Sequence, residues 1–509
     1  MIKLTLHLAF AILPVLSLGQ WQLMGTEIDG ASDGDKIGLT HSIDMDSTGT
    51  TIAFGTPLNH DFFPFSGYAK VMDWNGTDWV QRGDTFFGTD PTLEGTGSCV
   101  SLSADGMTVA VSSPWGSNSL GYKCGIVRVF DWNGSAWVLR GNMIEGEGNA
   151  DPLYSGDVFG TAMELSSDGN KIIVGARANT PQIGVNEFTG HARIYHWNGS
   201  SWMQIGQDLD GHPLGGVQEF GYSVSISDDG NRAAVGGRSF NTTVQEVGYA
   251  RMFEYDGSSW VQMGDTIFGT ELGEQLGSAV KLTPDGNSVA IGAPGTISTS
   301  TGETRMLDWN GSNWVQRGNS ILGSITSKSG LSIDVSFNGD IVAVGEPWAN
   351  NFNGTVKLHE WNGSSWQQLG TTLSPSNSSA VDAFGSAVRI NSNGSRVIIG
   401  SPSNTDAGFN TGQISIFGDG SDASLTEFGG SEISFYPNPV RDVLNIHIPG
   451  ANEQETEITI IDLQGRVIHS EFTSKQTTTI NTEMLGIETM FIVRISSEKT
   501  SAIFKVVLE

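Results

Sequence analysis

The sequence predicts an all-β chain: a seven-bladed β-propeller over residues 20–417, then a small β-sandwich over residues 435–509. Three observations predict it. A tryptophan-centred segment recurs at intervals of 52 to 65 residues. Asp-Gly or Asn-Gly pairs recur between apolar runs short enough to be strands. The first and last copies are incomplete in complementary ways, so the repeat closes on itself.

The chain opens with Lys3 and an apolar run from Leu4 to Leu18, and Ser17-Leu18-Gly19 supplies the small residues of a cleavage site. The run is short for a membrane span and polar residues follow it at once, so residues 1–19 read as a removed signal peptide. No other apolar run approaches the roughly 20 residues that a membrane helix needs. No membrane span and a location outside the cytoplasm are expected. A net charge of −29 repels phosphate backbones and anionic lipid, so nucleic acid is not an expected partner. The 67 glycines, set among many Trp, Val and Ile, point to short strands and tight turns.

The most regular copy of the repeat is Asp131-Trp132-Asn133-Gly134-Ser135-Ala136-Trp137-Val138. Its second tryptophan recurs at Trp21, Trp79, Trp137, Trp202, Trp260, Trp314 and Trp366, at spacings of 58, 58, 65, 58, 54 and 52 residues. That is the period of a propeller or solenoid unit. Each unit reads as four strands. The first follows a glycine, as in Phe384-Gly385-Ser386-Ala387-Val388. A turn such as Asp105-Gly106 or Asp168-Gly169 comes next, read as type I′ because both residue types tolerate positive φ. The second strand is an apolar run such as 288–294, and the third is a segment such as 125–130. An Asn-Gly-Ser turn leads into the fourth, which starts at the second tryptophan.

Trp21-Gln22-Leu23-Met24 is a fourth strand with no unit before it, and residues 412–417 are a third strand with no fourth after it. Pairing the two completes a seventh blade and leaves no free edge at the join. The glycines and alanines of the first strands then suit seven inner strands converging on a channel, where large side chains would collide. The repeat tryptophans are expected between neighbouring blades, as core.

Phe384-Gly385-Ser386 with Ile399-Gly400-Ser401-Pro402, and Leu276-Gly277-Ser278 with Ile291-Gly292-Ala293-Pro294, resemble the FG-GAP repeat family. The resemblance spans residues 20–418 and implies adhesion or ligand binding. Calcium-binding copies of that family carry several acids in the turn between the first two strands. Here the nearest remnant, Asp44-Met45-Asp46-Ser47-Thr48-Gly49, reads as an ordinary solvated turn.

Residues 418–434 read as a polar linker, and beyond them the repeat is gone. Tyr436-Pro437-Asn438-Pro439 precedes strand-like runs at 443–448, 458–468, 491–495 and 504–508, which make a small Ig-like β-sandwich. The Tyr-Pro-Asn-Pro opening, the turn Asp462-Leu463-Gln464-Gly465-Arg466 and the ending Lys505-Val506-Val507 resemble the type A C-terminal sorting domain of the type IX secretion system of Bacteroidota. One departure is Glu488 and Met490, where that family has Gly-x-Tyr. The resemblance implies that residues 435–509 engage the secretion machinery. It further implies passage through the periplasm and outer membrane, then release or attachment at the cell surface.

Catalytic motifs are missing. No His-x-x-x-His spacing occurs, and His191 and His196 stand five apart on one strand, on opposite faces. There is no nucleophile elbow and no phosphate loop. No cofactor and no metal are expected. The first reading is a monomeric, non-catalytic binding or adhesion protein for a glycan or protein ligand. The second is a secreted polysaccharide lyase or hydrolase whose site lies on the variable-loop face. Cys99 and Cys124 are the only cysteines. An oxidising compartment permits a disulfide, but two strand spacings of roughly 9–10 Å exceed its reach, so their pairing stays open.

Strand direction puts all the variable loops on one face. Trp115 and Trp348, following the second strand in blades two and six, are the only tryptophans outside the repeat positions. Near them in the loops are Phe62, Phe63, Phe65, Tyr122, Phe188, Phe240, Phe352 and Phe409. Trp115, Trp348, Phe63 and Tyr122 are the candidate ligand-binding residues, because aromatic rings in loops on a rigid scaffold favour recognition. The alternative is that these rings pack beneath their own loops.

Overall fold

A computed structural model describes residues 21–59, 66–89, 94–117, 123–147, 156–180, 188–213, 216–240, 246–296, 300–376 and 381–419 of the repeat region and its end. In the C-terminal region it describes 434–436, 443–448, 456–461, 467–475, 477–485, 490–496 and 501–507. The expected signal peptide lies outside these residues. The chain divides into two compact units, Met1–Phe417 and Gly418–Glu509.

The first unit is a seven-bladed propeller, each blade an antiparallel sheet. Blade two shows the plan. An inner strand, Val100–Leu102, pairs with Thr108–Ser113, which pairs with Ile126–Trp132, which pairs in turn with Trp137–Leu139. The other inner strands are Ile43–Met45, Ala162–Leu165, Phe220–Ile226, Ala279–Leu282, Ile333–Val335 and Ala387–Ile390. Each packs against the inner strand on either side, and the last packs against the first, so the ring is closed.

In six blades the outer strand is broken in two. In blade two, Arg140-Gly141 turns the chain, and Ile144–Glu145 returns to pair with the start of the third strand. Gly141 supplies the left-handed φ of +74° that this turn needs.

Closure occurs as the sequence predicts. Gln22–Leu23 forms the outer strand of blade seven beside Gln413–Gly418. Ile28 then pairs with Ile414, and Asp29 with Gln413. Trp21 is buried with Val356, Leu373, Phe384 and Val388 of blades six and seven.

The repeat tryptophans are core, and their geometry says why they recur. Each pair faces across the outer hairpin, as Trp132 and Trp137 do with ring centroids 5.2 Å apart. The second indole also reaches the preceding blade. Its N–H donates to a backbone carbonyl there: Trp79 to Met24 at 3.0 Å, Trp137 to Arg82 at 2.8 Å, Trp314 to Met263 at 3.0 Å. A phenyl ring could fill the space but could not donate this bond.

Two sequence expectations need correction. The Asp-Gly turns are not type I′, because only the glycine has positive φ (Gly106 at +65°). Asp105 keeps negative φ and uses its carboxylate instead, accepting from Met107 N at 2.9 Å and from Ser103 Oγ at 2.6 Å. Nor do the glycines answer to crowding in the channel. They mark where backbones of adjacent blades touch: a Cβ on Gly97 would lie 2.2 Å from the carbonyl oxygen of Tyr68 in the preceding blade. Cys99 and Cys124 are both buried and form no disulfide, and burial pushes the Cys99 thiol up to about 12.

The second unit has two sheets. One joins Ser434–Tyr436, Val443–His447 and Thr477–Asn481; the other joins Val467–Thr473, Thr456–Ile461, Met490–Ser496 and Ser501–Val507. Leu444, Ile446, Ile458, Ile460, Ile480, Val493 and Ile495 alternate along these strands and are all buried. That alternation is the inward face of a sandwich. The Pro-Asn-Pro run after Tyr436 and the turn at 462–466 lie outside the described residues.

Candidate functional site

One residue of each inner strand, flanked by two apolar ones, lines the channel. In order these are Asp44, Ser101, Glu164, Ser225, Lys281, Asp334 and Arg389. Between them they close the passage with ion pairs: Lys281 Nζ lies 2.7 Å from Glu164 and 3.6 Å from Asp334, and Arg389 Nε lies 3.6 Å from Asp44. Burial alone would lower the Lys281 ammonium, but the carboxylates of Glu164 and Asp334 outweigh it and hold its pKa above the usual lysine value. Four members also latch neighbouring blades by accepting a backbone N–H, as Asp44 does from Leu102 at 2.7 Å and Asp334 from Ile390 at 2.7 Å. A cavity of about 120 Å³ remains on the short-hairpin side, bordered by Asp44, Glu164, Lys281 and Asp334. Asp46, the remaining acid of the candidate calcium turn, accepts from Thr50 N, Thr51 N and Thr48 Oγ1, which makes it a turn residue.

The other end of the channel, on the variable-loop face, is built differently. Two residues before the glycine of each inner strand the backbone is left-handed in every blade: Lys36, Gly95, Val158, Glu219, Gln275, Lys328 and Ala383. Six of these are not glycine. Each such residue costs of order 1 kcal/mol or more and persists only where its surroundings impose it. The result is a rim that projects side chains around the channel mouth.

Blades three to six furnish this rim with charge and rings. Glu219 accepts from Arg177 at 2.8 Å and from Arg238 at 2.7 Å. The Arg238 guanidinium lies 3.9 Å from the centre of the Tyr222 ring, a close cation–π contact. His41 meets the edge of Tyr222 with centroids 6.2 Å apart. Burial, reinforced by Arg389, Arg177 and Arg238, pushes its imidazole down to about 3, so it is neutral throughout the physiological range.

Further round the rim, Lys328 Nζ sits 5.0 Å from the Trp348 ring centre, and Trp348 pairs with Phe352 at 5.2 Å. Trp348 is 43% exposed and Phe352 46%. Asn350, Asn351 and Phe352 are all left-handed, with φ of +51°, +60° and +69°, so the loop holds these two rings outward on a strained backbone.

The aromatic residues singled out in the sequence divide. Trp348 and Phe352 form the exposed pair just described. Trp115 is half-buried against its own blade, its ring packed where a Cβ on Gly95 would fall. It stands three blades from Trp348 the shorter way round, so the two do not make one platform. Phe240 is core, packed on Tyr249 at 5.0 Å. Phe409 is 70% exposed, on blade seven. Phe63 and Tyr122, with Phe62 and Phe65, lie outside the described residues. The sequence reading missed Arg177, Glu219, Tyr222, Arg238 and Lys328. Their signal was positional: each flanks an inner-strand glycine or ends a second strand.

Comparison with known proteins bears on the second unit. Residues 434–509 match the family of secretion system C-terminal sorting domains. This unit is a secretion-system sorting domain. A sorting domain marks the chain for export to the cell surface or beyond, and among the described residues no helix is long and apolar enough to cross a membrane. No curated protein matches the chain. Among solved structures it is similar to PorZ, an essential bacterial surface component of the type-IX secretion system of Porphyromonas gingivalis, at 15% identity with a TM-score of 0.45. The match covers 96% of this chain and 61% of that one, so the chain spans less than two thirds of that protein's length.

Proposed function

We propose that this chain is a binding propeller, exported by the type IX secretion system through its sorting domain, that holds a glycan or protein ligand on the variable-loop rim without turning it over. The observation that carries the reading is the pair Trp348 and Phe352, exposed beside Lys328 on a left-handed loop. Exposed rings next to a cation, fixed by a backbone that costs energy to hold, suit recognition of a sugar face or a partner side chain.

The test is incubation of the purified protein with a panel of acidic and neutral polysaccharides and host glycoproteins, scoring retention and cleavage on the same samples. Retention of at least one member with no new reducing ends or unsaturated products is expected. Turnover of any member establishes the enzyme reading in its place.

A further inference from the structure

Blade three carries a second cluster that has no part in the rim. His191 begins the third strand, His191–Trp197, and its pairing partner across the sheet is Asp210. One ring nitrogen of His191 and one carboxylate oxygen each of Asp208 and Asp210 lie within 4.8 Å of one another. His191 is 1% exposed, yet its Nε2 has no hydrogen-bond partner, and its Nδ1 comes no nearer than 3.8 Å to Asp208 Oδ2.

The residue at this place varies around the ring: Ile126, Glu303, Thr355 and Gln413 hold it in four of the other blades. Blades one and four have Tyr68 and Tyr249 there, whose hydroxyls reach Asp35 at 3.5 Å and Gln218 at 2.6 Å. The imidazole is shorter. In blade three Asp157 stands where Asp35 and Gln218 stand, and its Oδ2 is also buried without a partner. His191 makes no bond of the kind those two tyrosines make, and its buried Nε2 is left without a partner.

We propose that His191, Asp208 and Asp210 bind a divalent transition-metal ion of the zinc class. Charge balance favours it. Arg193 is bonded to Asp208 at 2.8 Å and paired with Glu147, and Arg251 stands beside Asp210, so the carboxylates of Glu147, Asp208 and Asp210 exceed the two guanidinium groups by one negative charge. One nitrogen and two carboxylate oxygens suit zinc, whereas calcium takes six to eight oxygens. Three protein ligands leave a fourth position, and Asp210 is exposed, so that position opens to solvent on the variable-loop side.

The test uses the full chain stripped with chelator and titrated calorimetrically with zinc chloride, then with calcium chloride. One zinc per chain is expected. His191→Tyr, which restores the residue of blades one and four, and Asp210→Asn, at an exposed position, should each weaken zinc binding about tenfold or more. Their metal-free melting temperatures should match the parent. Absence of stoichiometric zinc binding overturns the proposal. Zinc binding unchanged in both variants overturns it too, because the ion then sits on surface acids elsewhere. Calcium binding of equal strength that both variants abolish overturns the assignment to the zinc class.

Discussion

Removal of residues 435–509 is expected to leave a folded propeller that accumulates in the periplasm of a host carrying the secretion system, with export falling to background. The two units are separately compact, and the propeller's core clusters are drawn from its own blades. The truncated chain therefore keeps its fold and loses its address. Cell fractionation with an immunoblot reads the outcome. The converse adds weight: residues 418–509 fused behind an inert periplasmic reporter should carry it to the surface or the medium. Normal secretion of the truncated chain contradicts the role assigned to the sorting domain.

Deleting residues 21–29 is expected to have the largest effect on stability. These residues supply the outer strand of blade seven, the pairing of Ile28 with Ile414, and the buried indole of Trp21. Emptying the space of one buried tryptophan costs about 3–5 kcal/mol before any strand pairing is counted. The strand Gln413–Gly418 is then left as a bare edge, open to pairing between molecules. A fall in melting temperature of about 10 °C, with aggregation on heating, is the expected result by calorimetry. A melting temperature within about 2 °C of the parent shows that closure contributes little.

Much of the fold was legible because the positions that define it admit few residue types. The second tryptophan must fill an interblade space and donate one hydrogen bond, so it recurs at Trp79, Trp137 and Trp314 and gives the period away. Closure was legible because a strand without its blade and a blade without its strand stand at opposite ends of the repeat. The channel was less so. Its lining is one residue in each apolar-x-apolar triplet, and that residue runs from Ser101 to Lys281 to Asp334 because some of these positions accept a neighbouring blade's N–H and others supply the ion pairs. The turn type was misread because the Asp105 carboxylate replaces a backbone twist that the residue pair alone suggests.

Among the rings, the sequence places Phe352 and Phe240 alike in the variable loops. Only packing separates them: Phe240 fills a gap beside Tyr249, while Phe352 turns out on a left-handed backbone and takes Trp348 with it. The cluster at His191 was illegible for another reason. Asp208 and Asp210 lie 17 and 19 positions downstream, and they meet the imidazole only through the register that a broken outer strand sets.

The measurement that tests the binding reading most directly is retention of a panel ligand by the double variant Trp348→Ala, Phe352→Ala against the parent, with melting temperatures taken on both. The rings are nearly half exposed, so their removal takes little from the core. Loss of ligand affinity by about tenfold or more, with melting temperatures within about 2 °C, is the expected result. Undiminished retention by the variant, at unchanged stability, contradicts the placement of the ligand on this rim.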